Sequence, residues 1–239
     1  KCLILWGMNP GASTLPGMHG YTDLQMAGLK IIVVDPRYSE TASKADLWLP
    51  LRPGSDAALA LAMINALMFG GMCDYDYIDK WCSGYDELME HIGQYTPEWA
   101  SEITWLEPDL IRQAAAMYAT NRPGCIQWGC TWDQIGRAST TGSHAIALLR
   151  ALTGNLEIPG GDGMPGPAMN FLTDEEMEAN ECLPEEQKAK QISRFKLTSW
   201  PGYQIVSDTA RRQWGKTLPS EWFCEAHGPS VFKAIITGD

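Results

Sequence analysis

The sequence has few of the residues that carry out chemistry unaided. Its four histidines, His19, His91, His144 and His227, show none of the spacing a metal site requires. Seven cysteines, at 2, 73, 82, 125, 130, 182 and 224, form no Cys-x-x-Cys pair, so no cysteine cluster for an iron–sulfur centre is present. The phosphate loop Gly-x-x-x-x-Gly-Lys, the metalloprotease His-Glu-x-x-His and the nucleophile elbow Gly-x-Ser-x-Gly do not occur. No catalytic residue and no metal ligand are therefore expected in this chain. Any reactive atoms must come from elsewhere.

Positive charge is scarce as well. Eighteen Lys and Arg face 29 Asp and Glu, a net charge of −11. Such a surface repels a phosphate backbone, which argues against nucleic acid as a partner. A single anionic small molecule remains admissible, because main-chain N–H groups bind anions without net positive charge. Long apolar runs are missing too. The longest, Ala57–Phe69, is interrupted by Asn65 and is too short to span a bilayer, so no membrane contact is expected from this segment. No signal-peptide pattern is expected within these residues, and the compartment stays unknown. An odd cysteine count without an Asn-x-Ser/Thr site favours a reducing, cytoplasmic setting with thiols packed as small hydrophobes. The first residue is Lys1, leading straight into an apolar run, so the chain is expected to be an excised piece of something longer.

What is present reads as a loop-rich globular chain of 239 residues, 45% hydrophobic, with 23 Gly and 15 Pro. Cys2–Trp6 is a short apolar strand that stops at the turn formers Gly7-Met8-Asn9-Pro10-Gly11. A helix is expected from about Met18 to Leu29. Lys30–Val34 then forms a β-branched strand of the kind covered on both faces. Leu47–Leu49 is a third strand. Ser55 is placed to cap a buried helix running to Phe69, with Asp56 in its first turn. Helical segments follow near 75–82, 85–93 and 97–103, and Pro108 opens a helix to Thr120. Cys125–Trp128 is another strand, ending at Gly129, and His144–Leu152 another helix. Strands alternating with helices predict an α/β fold: a Rossmann-like, three-layer α/β/α arrangement around a mainly parallel sheet. One domain is expected over 1–239, with a solvated, loop-rich excursion at 167–231, where seven acids crowd into 174–186. Phe232–Gly238 repeats the character of the opening strand.

Gly161-Asp162-Gly163-Met164-Pro165-Gly166 matches the dinucleotide fingerprint G-x-G-x-x-G in letters only. That motif works between a strand and a helix, and here Pro159, Pro165 and Pro167 forbid the helix. The better candidates are the loops Gly7–Ala12, Asp35–Arg37, Pro53–Asp56 and Gly129–Trp132. In a parallel sheet these share the edge at the carboxyl ends of the strands, where ligands bind. Asp35 suits a ribose diol, because a carboxylate accepts two hydroxyl hydrogens. Asp56 suits the N1–H and N2–H₂ edge of guanine, which presents two adjacent donors. The plainer alternative is that Asp35 is a turn residue and Asp56 a helix N-terminal residue.

Four ordered motifs now bear on that choice. They are Trp6-Gly7-Met8-Asn9-Pro10; Val33-Val34-Asp35-Pro36-Arg37, followed by Ala42 and Ala45-Asp46; Leu49-Pro50-Leu51-Arg52-Pro53-Gly54-Ser55-Asp56-Ala57-Ala58-Leu59; and Leu152-Thr153-Gly154-Asn155 with Pro159-Gly160-Gly161. Together they resemble the dimethyl sulfoxide reductase family of molybdenum and tungsten enzymes. The resemblance is dense over 1–60 and 124–166 and loose elsewhere. It implies a domain that holds one guanine dinucleotide of a bis(molybdopterin guanine dinucleotide) cofactor carrying Mo or W. The positions it implies for that role are Gly7, Asn9, Pro10, Asp35, Arg37, Gly54, Asp56, Gly129 and Trp132. Where many members have Thr-Gln-His after the glycine, this sequence reads Thr131-Trp132-Asp133, a departure beside the cofactor. The resemblance further implies a 4Fe–4S cluster and a metal-ligating residue upstream, further domains of a parent chain, and an electron-transfer iron–sulfur subunit as a partner. The 239 residues are expected to be an internal fragment, inactive alone. Two rival readings are a nicotinamide-dependent Rossmann dehydrogenase and a non-catalytic scaffold with an emptied cofactor site.

Overall fold

The computed structural model describes residues 1–129 and 139–163, and beyond them 184–186, 208, 211–212, 215 and 236. The chain forms two compact units, Lys1–Pro165 and Gly166–Asp239. The expected excursion at 167–231 and the strand-like 232–238 fall almost wholly outside the described residues, with Ile236 itself helical and exposed.

In the first unit, four apolar segments pair as strands: β1 (Cys2–Trp6), β2 (Lys30–Val34), β3 (Leu47–Leu49) and β4 (Gly124–Trp128). The order across the sheet is β3-β2-β1-β4, and each of the three pairings is parallel. Every residue of β1 is buried, and so is β2 after Lys30, which is why these strands read as unbroken apolar runs. Alternate side chains enter two separate cores. Ile4, Trp6, Ile32, Val34 and Leu49 face one, and Leu3, Leu5, Ile31 and Val33 face the other.

The connection from β1 to β2 carries the short α1 (Pro10–Ser13) and α2 (Leu15–Met26). Tyr21 of α2 packs on the second core together with Met8 and Leu29. The helix thus begins earlier than the glycine-broken sequence predicts and ends at the Ala27-Gly28 turn. From β3 to β4 the chain runs through α3 (Asp56–Phe69), α4 (Tyr75–Trp81), α5 (Tyr85–Ile92), α6 (Pro97–Thr104) and α7 (Pro108–Thr120). Helix α8 (Ser139–Leu152) follows β4. It starts five residues before the expected His144, through Thr140, Thr141 and Gly142, whose own propensities for helix are low.

Helix α3 is the centre of the first core, packed against α6, α7 and α8. Ten of its residues are buried, which accounts for a sequence apolar around the whole helix. Asn65, the one polar break, donates from Nδ2 to the carbonyl of Ile92 at 2.9 Å, so its burial is compensated. Asp74 and Thr96 cap α4 and α6 by accepting from the main-chain N–H of Tyr77 and Trp99. Ser55 departs from this pattern. Its hydroxyl donates back to the Arg52 carbonyl at 2.6 Å and makes no cap bond to α3. Among the described residues no helix is long and apolar enough to cross a membrane.

Candidate functional site

Because all four strands run the same way, the loops after Trp6, Val34, Leu49 and Trp128 leave from one edge of the sheet. The strand order also reverses between β1 and β4. The chain turns from β1 toward β2 on one side, then returns past β1 to lay down β4 on the other. Loops diverging at such a point leave a crevice, the usual place for a ligand in this architecture. Gly7 and Gly129 sit on its two sides. They approach so closely that a Cβ at Gly129 would lie 2.2 Å from the Gly7 carbonyl oxygen, and the Gly129 N–H donates to Trp6 O at 2.9 Å. A side chain at 129 would force the two loops apart.

Eight of the nine expected residues, Gly7, Asn9, Pro10, Asp35, Arg37, Gly54, Asp56 and Gly129, belong to these strand-end segments. Trp132 lies outside the described residues. Several of the eight are occupied with holding their own loops. Asn9 uses both ends of its amide: Nδ2 donates to Glu40 Oε2 at 2.8 Å, and Oδ1 accepts from Thr41 Oγ1 at 2.7 Å. The Asn9 amide holds the Glu40 carboxyl below its ordinary range. Pro10 is buried at the first position of α1. Asp35 Oδ1 accepts the main-chain N–H of Arg37 at 2.8 Å, closing a turn, while the Asp35 carbonyl accepts the Trp48 indole N–H at 2.8 Å. Asp35 thus has the turn role expected of it, and its Oδ2 has no hydrogen bond among the described residues. The Arg37 guanidinium is two-thirds exposed and lies 4.0 Å from Glu40.

Asp56 is different. It stands in the first turn of α3, half-buried, after a turn in which Gly54 adopts φ +81°, a conformation open to glycine and costly to other residues. Nothing lies within 4 Å of where a Gly54 Cβ would sit, so the approach to the turn is open. The Trp6 indole Nε1–H donates to Asp56 Oδ1 at 2.9 Å. Burial pushes the Asp56 carboxyl above its ordinary value, and the indole N–H and its own main-chain N–H pull it partly back. A carboxylate offers about four acceptor positions. One is used by the Trp6 indole, which leaves room for a ligand with two adjacent donors.

Trp6 was not among the expected site residues, although a buried indole needs a partner for its N–H and that need is visible in the sequence. Arg52 was not among them either. The Arg52 guanidinium lies 5.4 Å above the exposed Trp105 ring, and its main-chain N–H donates to Thr104 O at 2.8 Å.

The Gly161-Asp162-Gly163 segment follows helix α8 and serves another purpose. Asp162 is buried against β4: Oδ2 accepts from Ile126 N at 3.0 Å and pairs with Arg150 Nε at 2.8 Å, and Oδ1 accepts from Cys125 Sγ at 3.0 Å. Asn155 Oδ1 accepts the Gly124 N–H at 2.8 Å. These side chains satisfy the Gly124 and Ile126 N–H groups on the side of β4 away from β1, so the apparent fingerprint is a strand-edge clamp.

A separate cavity of about 510 Å³ lies among Asn65, Phe69, Gly93, Pro97, Glu98 and Arg112. It sits at the far end of α3, about 20 Å from Asp56 for a helix of that length. Its two charged side chains pair with each other. Among the described residues no group of three or more His, Cys, Asp or Glu is arranged to hold a metal ion.

The sequence pattern of the family described as "Molybdopterin oxidoreductase" matches residues 1–213. Acetylene hydratase of Syntrophotalea acetylenica is 33% identical over 99% of this chain and 33% of its own length. Dimethyl sulfoxide reductase DmsA of Escherichia coli (strain K12) is 34% identical over 68% of this chain and 23% of its own. Formate dehydrogenase H of the same organism is 31% identical over 91% of this chain and 29% of its own. The solved structure of acetylene hydratase from Pelobacter acetylenicus superimposes with a TM-score of 0.65 at 31% identity, covering 99% of this chain and 33% of that one. The chain thus spans about a third or less of the length of these relatives.

Proposed function

Since the chain belongs to the molybdopterin oxidoreductase family, we propose that it binds the guanine dinucleotide part of a bis(molybdopterin guanine dinucleotide) cofactor within a larger enzyme. The observation that carries this reading is Asp56: a half-buried carboxylate with unused acceptor capacity, at the ligand-binding edge of a parallel sheet. Asp56 receives the two adjacent donors of guanine. Asp35 offers its second oxygen to a ribose hydroxyl, and the exposed Arg37 faces the anionic part of the ligand. Gly7 and Gly129 keep the crevice narrow, and Asn9 and Pro10 hold its first loop in shape.

When bound, the cofactor supplies the metal and its redox or Lewis-acid chemistry, and the protein supplies orientation and electrostatics. The similar proteins include a reductase, a dehydrogenase and a hydratase by name, and all are similar to this one segment. That diversity fits a segment that binds what they share and leaves the reaction to the rest of the chain. The parent is read as a molybdenum or tungsten oxidoreductase. Its metal ligand and 4Fe–4S cluster lie in other domains, and an iron–sulfur subunit is its electron partner.

The test is cofactor content in the full-length parent. Removing a hydrogen-bonding carboxylate from a buried polar contact costs about 1.5–3 kcal/mol of binding. Asp56→Ala should therefore lower guanine nucleotide and metal per chain well below the level of an exposed control, Glu102→Ala. Equal content in the two variants would remove Asp56 from the site.

A further inference from the structure

Trp6 is the last residue of β1 and is fully buried, on the same face of the sheet as α3. Its indole therefore reaches the strand-end edge from inside the core. It meets Asp56 across 50 residues of sequence, with Nε1–H donating to Oδ1 at 2.9 Å. The torsion that turns an aspartate carboxylate is soft, with broad wells, so the plane of the two oxygens must be set by neighbours. Here the neighbour has no freedom of its own, because Trp6 is enclosed by close-packed core residues. Ser55, the residue just before Asp56, does not compete for this role, since its hydroxyl is committed to Arg52 O.

We infer that Trp6 is a positioning residue for nucleobase recognition: its indole N–H fixes the Asp56 carboxylate so that the remaining acceptor positions face the ligand. This rests on the reading of Asp56 given above. A ligand presenting two parallel donors gains both bonds only if both oxygens lie in its plane. A carboxylate already held in that plane binds without losing torsional freedom, whereas a free one must be ordered by the ligand. Selectivity for a base with two adjacent donors thus originates partly in the core, in a side chain that does not touch the base.

The experiment measures release of cofactor from the purified full-length parent enzyme, as guanine nucleotide retained per chain during dialysis. Trp6→Phe removes the N–H but also leaves a cavity. A second variant therefore carries 3-benzothienylalanine at position 6, which keeps the bicyclic shape and replaces only the N–H by sulfur. Both are combined with Asp56→Ala in double-mutant cycles. With Asp56 present, both changes at Trp6 should speed release on the order of tenfold, the scale of one lost hydrogen bond to a charged group. In the Asp56→Ala background the benzothienyl variant should add nothing further, because Trp6 acts through Asp56. Release at the wild-type rate from the benzothienyl variant, with fast release from Asp56→Ala, overturns the role of Trp6 and leaves Asp56 standing. The same acceleration in both backgrounds also overturns it and makes Trp6 a packing residue. Unchanged release from Asp56→Ala alone removes the reading of Asp56, and this inference with it.

Discussion

Two buried or half-buried aspartates flank the sheet of this protein, and their surroundings differ in kind. Asp162, beside β4, meets an arginine, a main-chain N–H and a thiol, and little of its surface reaches water. Asp56, at the start of α3, meets one indole N–H. The first is a saturated carboxylate and ties a strand edge to the helix and loop that follow. The second is held in place yet incompletely satisfied, at the strand-end edge of the sheet, where burial penalises its charge. A buried polar group whose partners are incomplete needs a reason. A ligand that completes them supplies one.

The largest effect that can test this contrast is on stability. Asp162→Ala leaves Arg150 buried without its counter-ion and Ile126 N–H without an acceptor. Breaking such a pair from one side costs about 3–5 kcal/mol. Denaturant unfolding of the ligand-free protein should show that loss for Asp162→Ala and no comparable loss for Asp56→Ala. Similar losses at both positions would erase the distinction.

A second effect is chemical. Burial first, then the hydrogen bond to Asp162, pushes the Cys125 thiol from its ordinary 9.0 up to about 12. Its thiolate is then about a thousandfold scarcer than that of a free cysteine, and the thiolate is the reactive form. Under native conditions at pH 8, Cys125 should resist iodoacetamide while a small-molecule thiol in the same tube is consumed. Cys2, pushed up to about 12 chiefly by burial, should resist it too. Prompt labelling at Cys125, located by peptide mass spectrometry, would mean that the clamp around Asp162 opens readily.

The smallest effect has the opposite sign. Because burial raises the Asp56 carboxyl above its ordinary 3.8, the folded protein binds more protons than the unfolded chain just above that value. Stability is therefore lost as pH rises through that window, and the deficit persists at neutral pH. Asparagine carries no charge to desolvate and still accepts the Trp6 N–H. Asp56→Asn should raise the melting temperature of the ligand-free protein slightly at pH 7, with the difference closing below the ordinary carboxylate range. A lower melting temperature at pH 7 would show that Asp56 is in place for stability.

How much of this was legible in advance depended on distance along the chain. The strands at Cys2–Trp6 and Lys30–Val34 and the helix at Asp56–Phe69 were readable because continuous burial imposes a continuous apolar run. Pro108 opening α7 was readable because proline at the first helical position forfeits no hydrogen bond. The early start of α8 was not, since Thr140, Thr141 and Gly142 are poor helix formers and neighbouring elements decide such cases. Ser55 is the N-cap residue of α3, as its position in the sequence implies, but its hydroxyl turns to the Arg52 carbonyl in the preceding turn, which local sequence does not reveal.

The sequence by itself determined the alternation of strands and helices, the loops that end in glycine and aspartate, and hence the one edge on which a ligand could sit. These follow from local rules: a β-branched run is extended, a glycine–proline cluster turns, and parallel strands end together. Tertiary structure alone decided that the strand order reverses between β1 and β4, which places Gly7 against Gly129. It alone decided that Trp6 would find Asp56 and that Asp162 would clamp β4. Those partners lie 50 and 36 residues apart. Their meeting depends on which strand lies beside which, and no local propensity encodes that order. It is set when the chain finds the arrangement that buries both faces of the sheet at once.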